Sequence, residues 1–124
     1  MKKLFTIESV TATEPGNFRA TARLNTTHEV FQGHFPEVPI LPGVCSLYLI
    51  RICTETILGK KLQYVAVGTC KFSSVVEPLR EETLLMNAKT EVQEETNEIK
   101  VSAELQYGTH PVLKMQALMK EVGI

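Results

Sequence analysis

Apolar and polar residues alternate along most of the chain, which is the pattern of β-strands that bury one face. The clearest example runs from Ile99 to Tyr107, where every second residue is apolar and the residues between them are polar. Segments containing glycine, proline or asparagine separate the alternating stretches. The pattern predicts antiparallel strands at residues 4–12, 18–26, 62–75, 83–93, 98–107 and 113–119, with the first two joined as a hairpin.

One segment, residues 43–58, has the length and composition of a long helix. It follows Pro42 and ends at Gly59, a residue that favours helix termination. Its apolar residues cover nearly the whole circumference, so we expect protein to bury it on most sides. One buried helix and a run of antiparallel strands predict an α+β domain, in which a single antiparallel sheet wraps around the helix. The chain contains no internal repeat or linker, so residues 1–124 are expected to form one domain.

Composition and charge exclude several classes of function. Apolar residues make up 44% of the 124 residues and charged residues 22%, as expected for a soluble globular protein. The net charge of −1 gives no electrostatic reason to expect binding to nucleic acid or to an anionic membrane. No apolar run reaches the roughly 20 residues of a membrane span, and Glu8 interrupts the segment where a secretory signal would lie. We therefore expect a cytoplasmic protein.

The residues able to carry chemistry are few. The three cysteines, at positions 45, 53 and 70, lack the paired spacing of a zinc site and predict buried free thiols. We expect neither a metal nor another cofactor. All 14 acidic residues are glutamates, so a mechanism that needs an aspartate from this chain is excluded.

The segment before the predicted helix combines a histidine with a stiff backbone. His34 follows Gly33, and three prolines within seven positions restrict the backbone up to Gly43. The N–H groups at a helix amino terminus suit a carbonyl oxygen that gains negative charge. The residues alone leave two readings open: a catalytic histidine beside an oxyanion donor, or a loop histidine packed between Phe31 and Phe35.

The motif Gly33-His34-Phe35-Pro36, followed by Pro39-Ile40-Leu41-Pro42-Gly43-Val44, resembles the signature of the 3-hydroxyacyl-acyl-carrier-protein dehydratases of fatty-acid synthesis. A weaker likeness extends to Lys71-Phe72, Val76 and Pro78. The resemblance implies a hotdog fold and a dimer with two active sites at its interface, sometimes assembled into a trimer of dimers. It also implies that the substrate is an acyl thioester carried by acyl-carrier protein.

The resemblance assigns roles to individual residues. His34 would be the base that removes the C2 proton of a 3-hydroxyacyl thioester, and histidine suits this role because its reference pKa is about 6.5. The backbone amide of Gly43 would polarise the thioester carbonyl. Phe35 and Val44 would help to line the acyl tunnel.

One position departs from the family's pattern. The family carries a catalytic carboxylate on the helix, fourteen residues after the histidine, and this chain has Tyr48 there. Tyr48 could itself donate a proton to the leaving hydroxyl, since a phenol is protonated at neutral pH. Alternatively Glu29, Glu37 or Glu55 could replace the carboxylate, although each is expected to be a solvated surface group.

A third explanation is altered function. The chain could bind acyl-carrier protein without catalysis, or form a heterodimer with a homologue that supplies the carboxylate. It could also be a thioesterase in which Cys45, near the helix amino terminus, has a lowered pKa. His28 and His110 are expected to be solvated, and Lys60, Lys61, Lys71 and Arg80 could form a docking surface for the acidic carrier protein. The leading hypothesis is dehydration of a 3-hydroxyacyl thioester, with His34 and Tyr48 as catalytic residues.

Overall fold

Six antiparallel strands form one sheet around a long helix in the computed structural model, which describes residues 3–33, 41–77 and 83–122. The strand order is β1-β2-β4-β5-β6-β3, so β1 and β3 lie at the two edges. The elements along the chain are β1 (Phe5–Glu14), β2 (Asn17–Leu24), α1 (Val30–Gly33), α2 (Gly43–Leu58), β3 (Leu62–Phe72), β4 (Thr83–Val92), β5 (Ile99–Tyr107) and β6 (His110–Glu121).

The core lies between the sheet and α2. The side chains that alternate with polar residues along the four central strands are all buried, as the sequence pattern predicts. They are Phe18, Ala20, Ala22 and Leu24 on β2, Leu84, Met86 and Ala88 on β4, Ile99, Val101, Ala103, Leu105 and Tyr107 on β5, and Leu113, Met115, Ala117 and Met119 on β6. The helix presents a buried stripe to them, formed by Ser46, Leu49, Ile50, Cys53 and Thr54. This arrangement confirms the predicted sheet wrapped around one helix.

Both ends of α2 lie where the sequence predicts them. Pro42 is the N-cap, with an extended backbone conformation. Gly59 adopts a left-handed conformation (φ 66°) that closes the helix, and its N–H donates to the Glu55 carbonyl oxygen at 2.8 Å. Neither described helix is long and apolar enough to cross a bilayer.

The Glu55 side chain fixes the carboxyl end of α2 to the sheet. Its Oε2 accepts the backbone N–H of Leu62, the first residue of β3, at 2.7 Å. The same oxygen accepts a charged hydrogen bond from Arg51 Nη1 at 3.0 Å. Tyr64 adds a further link between β3 and α2, because its hydroxyl donates to the Leu47 carbonyl oxygen at 2.6 Å. These bonds hold the helix at a fixed position relative to the edge strand.

Several details differ from the prediction. The strands of the first hairpin continue closer to the turn than expected, with only Pro15 and Gly16 between them, and β2 ends at Leu24, two residues earlier than expected. The strand predicted to extend to residue 75 ends at Phe72. His28 was expected to be solvated, and this is wrong: it is 9% exposed, and its Nδ1 accepts the Val30 N–H at 3.0 Å. His110 is exposed, as predicted.

Candidate functional site

The amino terminus of α2 leaves its first backbone N–H groups without partners in the described part of the chain. The N-cap residue Pro42 has no polar side chain, and no side-chain capping bond is present. The third helical N–H, that of Cys45, donates to the Pro42 carbonyl oxygen at 3.0 Å. The N–H groups of Gly43 and Val44 precede it and have no helical acceptor. They form a donor pair at the positive end of the helix, suited to an oxygen atom that carries negative charge.

The position of Gly43 depends on its lack of a side chain. A Cβ atom at this residue would lie 2.8 Å from the tip of the Phe72 ring, closer than van der Waals contact permits. The ring therefore approaches the first turn of α2 only because a glycine is there. Phe72 is itself 52% exposed, so its ring covers the helix terminus from the solvent side.

A groove of about 480 Å³ opens beside this terminus. Its walls are residues 41–43 and Ser46 on one side, and residues 72–76 with Val112 on the other. The bond from Leu41 N–H to Val76 O, at 2.9 Å, joins the two walls, and the bond from Ser73 N–H to Val112 O, at 2.7 Å, lies within the second wall. The volume and the largely apolar lining are typical of a site for a small organic ligand.

A larger hollow of about 700 Å³ lies on the other face of the sheet. It is bordered by the exposed polar side chains of several strands, including Lys71, Lys89, Glu104 and Lys114. Lys114 and Glu104 pair with each other at 3.4 Å. Among the described residues no helix terminus borders this hollow, so the groove at α2 is the better candidate site.

Tyr48 and Val44 lie on the exposed face of α2, away from the groove lining. Val44 is 71% exposed and Tyr48, one turn later, is 50% exposed. The Arg51 guanidinium lies over the Tyr48 ring, with 5.2 Å between its central carbon and the ring centroid. Of the predicted site residues, the structure thus places Gly43 in the groove and Val44 and Tyr48 on an open surface. His34 and Phe35 lie outside the described residues.

The other candidate acids and nucleophiles gain little support from the structure. The Glu55 carboxylate is only partly solvated, against expectation, because it is bonded to Arg51 and to the Leu62 N–H. Glu29 is exposed, and Glu37 lies outside the described residues. The thioesterase alternative needs a lowered Cys45 pKa, whereas burial raises the pKa of this thiol, because a thiolate is poorly solvated there.

Ser46 is a feature that the sequence analysis did not identify. It lies in the groove wall and is 2% exposed. Its hydroxyl has no hydrogen-bond partner in the described part of the chain, whereas the buried Thr54 hydroxyl donates to the Ile50 carbonyl oxygen at 2.7 Å. The signal available in the sequence was a serine at the start of an otherwise apolar helix face.

Exposed apolar side chains also lie on the edge strand β3. In the described residues β3 pairs with β6 alone, which leaves the backbone groups of its other edge unpaired. Three of its large apolar side chains are exposed, namely Val65, Val67 and Phe72. Together with Val44 and Tyr48 they form what we call the β3 surface. An exposed apolar edge of this kind is a site for pairing with another chain.

Comparison with known proteins agrees with the fold and the motif. A family model described as ApeI-like, ApeI dehydratase, matches residues 10–109. The 3-hydroxyacyl-[acyl-carrier-protein] dehydratase FabZ of Latilactobacillus sakei is 37% identical over 81 residues, which are 58% of this chain and 57% of that protein. The chain thus spans little more than half the length of this curated relative.

Solved structures share the architecture along almost the whole chain. The dehydratase heterocomplex ApeI:P from Xenorhabdus doucetiae superposes with a TM-score of 0.75 at 18% identity, covering 94% of this chain and 97% of that chain. A sigma28-regulated virulence protein from Campylobacter jejuni gives a TM-score of 0.69 at 11% identity, covering 98% and 85%. These likenesses confirm the predicted hotdog fold. Because the family model matches most of its length, the chain belongs to the family of ApeI-like dehydratases.

Proposed function

We propose that this protein eliminates water from a 3-hydroxyacyl thioester carried by acyl-carrier protein and releases the 2-enoyl thioester. The observation that carries the proposal is the pair of N–H groups at Gly43 and Val44, which have no partner among the described residues and begin α2 beside an apolar groove. The dehydratase-type motif around His34 precedes these groups in the sequence. Family membership and the relative from L. sakei support the same reaction.

In this reaction His34 removes a proton from C2, and the electron pair moves toward the thioester carbonyl. The Gly43 N–H stabilises the enolate oxygen, aided by the positive end of α2. The electron pair then returns to form the C2–C3 double bond, and the C3 hydroxyl leaves. A proton must reach that hydroxyl so that it departs as water. Phe35 and Val44 would flank the acyl chain in this scheme.

The origin of this last proton leads to a proposal about assembly. Tyr48 lies on the β3 surface and not in the groove of its own chain. We therefore propose that two subunits pair along β3, so that the helix face bearing Tyr48 meets the catalytic loop of its partner. The partner is either a second copy, with the Tyr48 phenol as acid, or a homologous subunit that carries a carboxylate. The heterocomplex from X. doucetiae supports the second version.

Turnover assays test the reaction. The purified chain is incubated with 3-hydroxyacyl-carrier thioesters of several chain lengths, alone and mixed with a carboxylate-bearing homologue, and the loss of one water is followed by mass spectrometry. We expect product in at least one arrangement and none with folded His34→Ala. The absence of product in every arrangement would contradict the proposal.

Tyr48→Glu separates the two versions of the assembly. If the chain lacks only an acid, this variant acquires or increases dehydration without a partner. If Tyr48 is itself the acid, the wild-type chain is active alone and Tyr48→Phe loses most of that activity. The matched control is Val92→Ala, since Val92 is also an exposed apolar residue but lies on β4, away from the β3 surface.

A further inference from the structure

Ser46 carries a buried hydroxyl for which residues 3–33, 41–77 and 83–122 offer no hydrogen-bond partner. The residue is 2% exposed and continues the buried stripe of α2 that faces the sheet. A buried hydroxyl without a hydrogen-bond partner is unfavourable, because it has lost water and gained nothing in return. Helical serines and threonines commonly recover this loss by donating to a carbonyl one turn earlier, and Thr54 and Thr56 both do so. No such bond is present for Ser46 in the described part of the chain.

The Ser46 hydroxyl lies where a ligand in the groove could reach it. The groove is lined by Gly43 and Ser46 from α2 and is otherwise largely apolar on this side, with Leu41 and Val76 beside them. Gly43, whose N–H has no partner in the described part of the chain, lines the same space. The site therefore combines an apolar wall, a positive helix end and one buried hydroxyl donor.

The spacing of these donors limits the chemistry of the ligand. Ser46 follows Gly43 by three residues, which corresponds to about 4.5 Å along the helix axis. The thioester carbonyl oxygen and the C3 oxygen of a 3-hydroxyacyl group are at most about 5 Å apart, given ordinary bond lengths. An acyl chain that places its carbonyl at Gly43 can therefore place its C3 hydroxyl near Ser46. An unsubstituted acyl chain would leave the Ser46 hydroxyl without a partner.

We propose that Ser46 is a specificity-determining residue, whose hydroxyl bonds the C3 oxygen of the acyl chain and selects 3-hydroxyacyl over unsubstituted acyl groups. This inference rests on the proposed function, because it takes the acyl thioester as the ligand of the groove. It adds a contact from the buried face of α2, opposite the face that carries Tyr48. The leaving hydroxyl is then held from the side away from the acid.

Binding of two matched ligands tests the inference. The probes are pantetheine amides of a 3-hydroxyacyl chain and of the unsubstituted chain of equal length, in which the amide makes C2 less acidic and prevents turnover. Dissociation constants are measured by calorimetry on the protein as it assembles in solution. We expect the wild type to bind the hydroxylated probe roughly tenfold more tightly, and Ser46→Ala to reduce this preference to within about twofold of unity.

Two controls separate recognition from a structural effect. Thr54→Val removes a buried hydroxyl from the same helix stripe that is already bonded within the helix, and it should leave the ligand preference unchanged. Without ligand, Ser46→Ala should melt at the same temperature as the wild type or higher, because it removes an unsatisfied group. A melting temperature lowered more than that of Thr54→Val would overturn the inference.

The binding result also separates a failure of the Ser46 inference from a failure of the proposed function. If both probes bind and Ser46→Ala keeps the wild-type preference, Ser46 does not contact the C3 oxygen, and the proposed function stands. If neither probe binds the wild type, the groove does not hold acyl thioesters, and both proposals fail.

Discussion

Replacement of Gly43 by alanine should separate the stability of this protein from its activity. The added Cβ would lie 2.8 Å from the Phe72 ring tip, where ordinary contact begins at 3.4 Å, so the ring must move by about 0.6 Å or more. The ring is half exposed and can rotate outward, which makes the movement inexpensive. Alanine also favours the helical backbone over glycine by roughly 0.5–1 kcal/mol. The free energy of unfolding should therefore stay within about 1 kcal/mol of the wild type.

The effect of Gly43→Ala on turnover should be much larger than its effect on stability. The new methyl group lies beside the N–H groups that hold the thioester oxygen in the proposed mechanism, and it narrows the space through which that oxygen approaches them. Loss of one oxyanion donor reduces turnover by roughly 100-fold or more in enzymes of this kind, about 2.7 kcal/mol in the barrier. We expect a loss of this order in kcat for Gly43→Ala.

The assay pairs urea unfolding with turnover of a 3-hydroxyacyl thioester. Gly59→Ala is a useful control, because it strains a left-handed residue at the other end of α2 where no atom lies within 4 Å of the added Cβ. It should lower stability and leave turnover of the folded protein intact. Wild-type turnover in Gly43→Ala would refute the assignment of this amide to the reacting oxygen.

Two further predictions concern the attachment of α2 to β3. Glu55→Ala should lower the free energy of unfolding by about 2 kcal/mol, measured by urea unfolding, because it leaves the Leu62 N–H without an acceptor and the partly buried Arg51 with only a long bond, 3.5 Å, to the Leu62 carbonyl oxygen; a loss below about 0.5 kcal/mol would contradict this role. Tyr64→Phe should cost about 1 kcal/mol near neutral pH, since the Tyr64 hydroxyl donates to the Leu47 carbonyl oxygen. Burial raises the pKa of Tyr64 well above its usual value of 10, so the unfolded chain loses this proton first and wild-type stability falls as pH rises above about 10. Tyr64→Phe has no hydroxyl to titrate at this position, so it should lack this part of the fall in stability. Equal slopes of the free energy of unfolding against pH in the two proteins would contradict the prediction.

The four central strands could be predicted from the sequence, because each of them buries one face and so shows period-two alternation. The helix bounds followed from Pro42 and Gly59, which determine where helical hydrogen bonding can begin and end. The strand order could not be predicted from these local patterns. The pairing of β3 with β6 joins segments far apart in the chain, and nothing in either segment alone specifies its neighbour.

The candidate site was predictable only where local chemistry determines it. The donor groups at Gly43 follow from a proline N-cap that offers no side-chain acceptor. The role of Glu55 was not predictable, because it depends on where Leu62 lies after the chain reverses. The burial of His28 was missed because a hydrogen bond across two residues, to the Val30 N–H, has no distinctive sequence pattern.

Exchange of the C2 proton tests the central claim most directly, since it reports on thioester activation at this site independently of which group supplies the acid. A 3-hydroxyacyl thioester is incubated with the protein in heavy water, and deuterium at C2 is measured by mass spectrometry and NMR. We predict incorporation by the wild type that Gly43→Ala slows and folded His34→Ala abolishes. Incorporation that persists undiminished in His34→Ala, or no incorporation by the wild type under conditions where the thioester binds, would contradict the account.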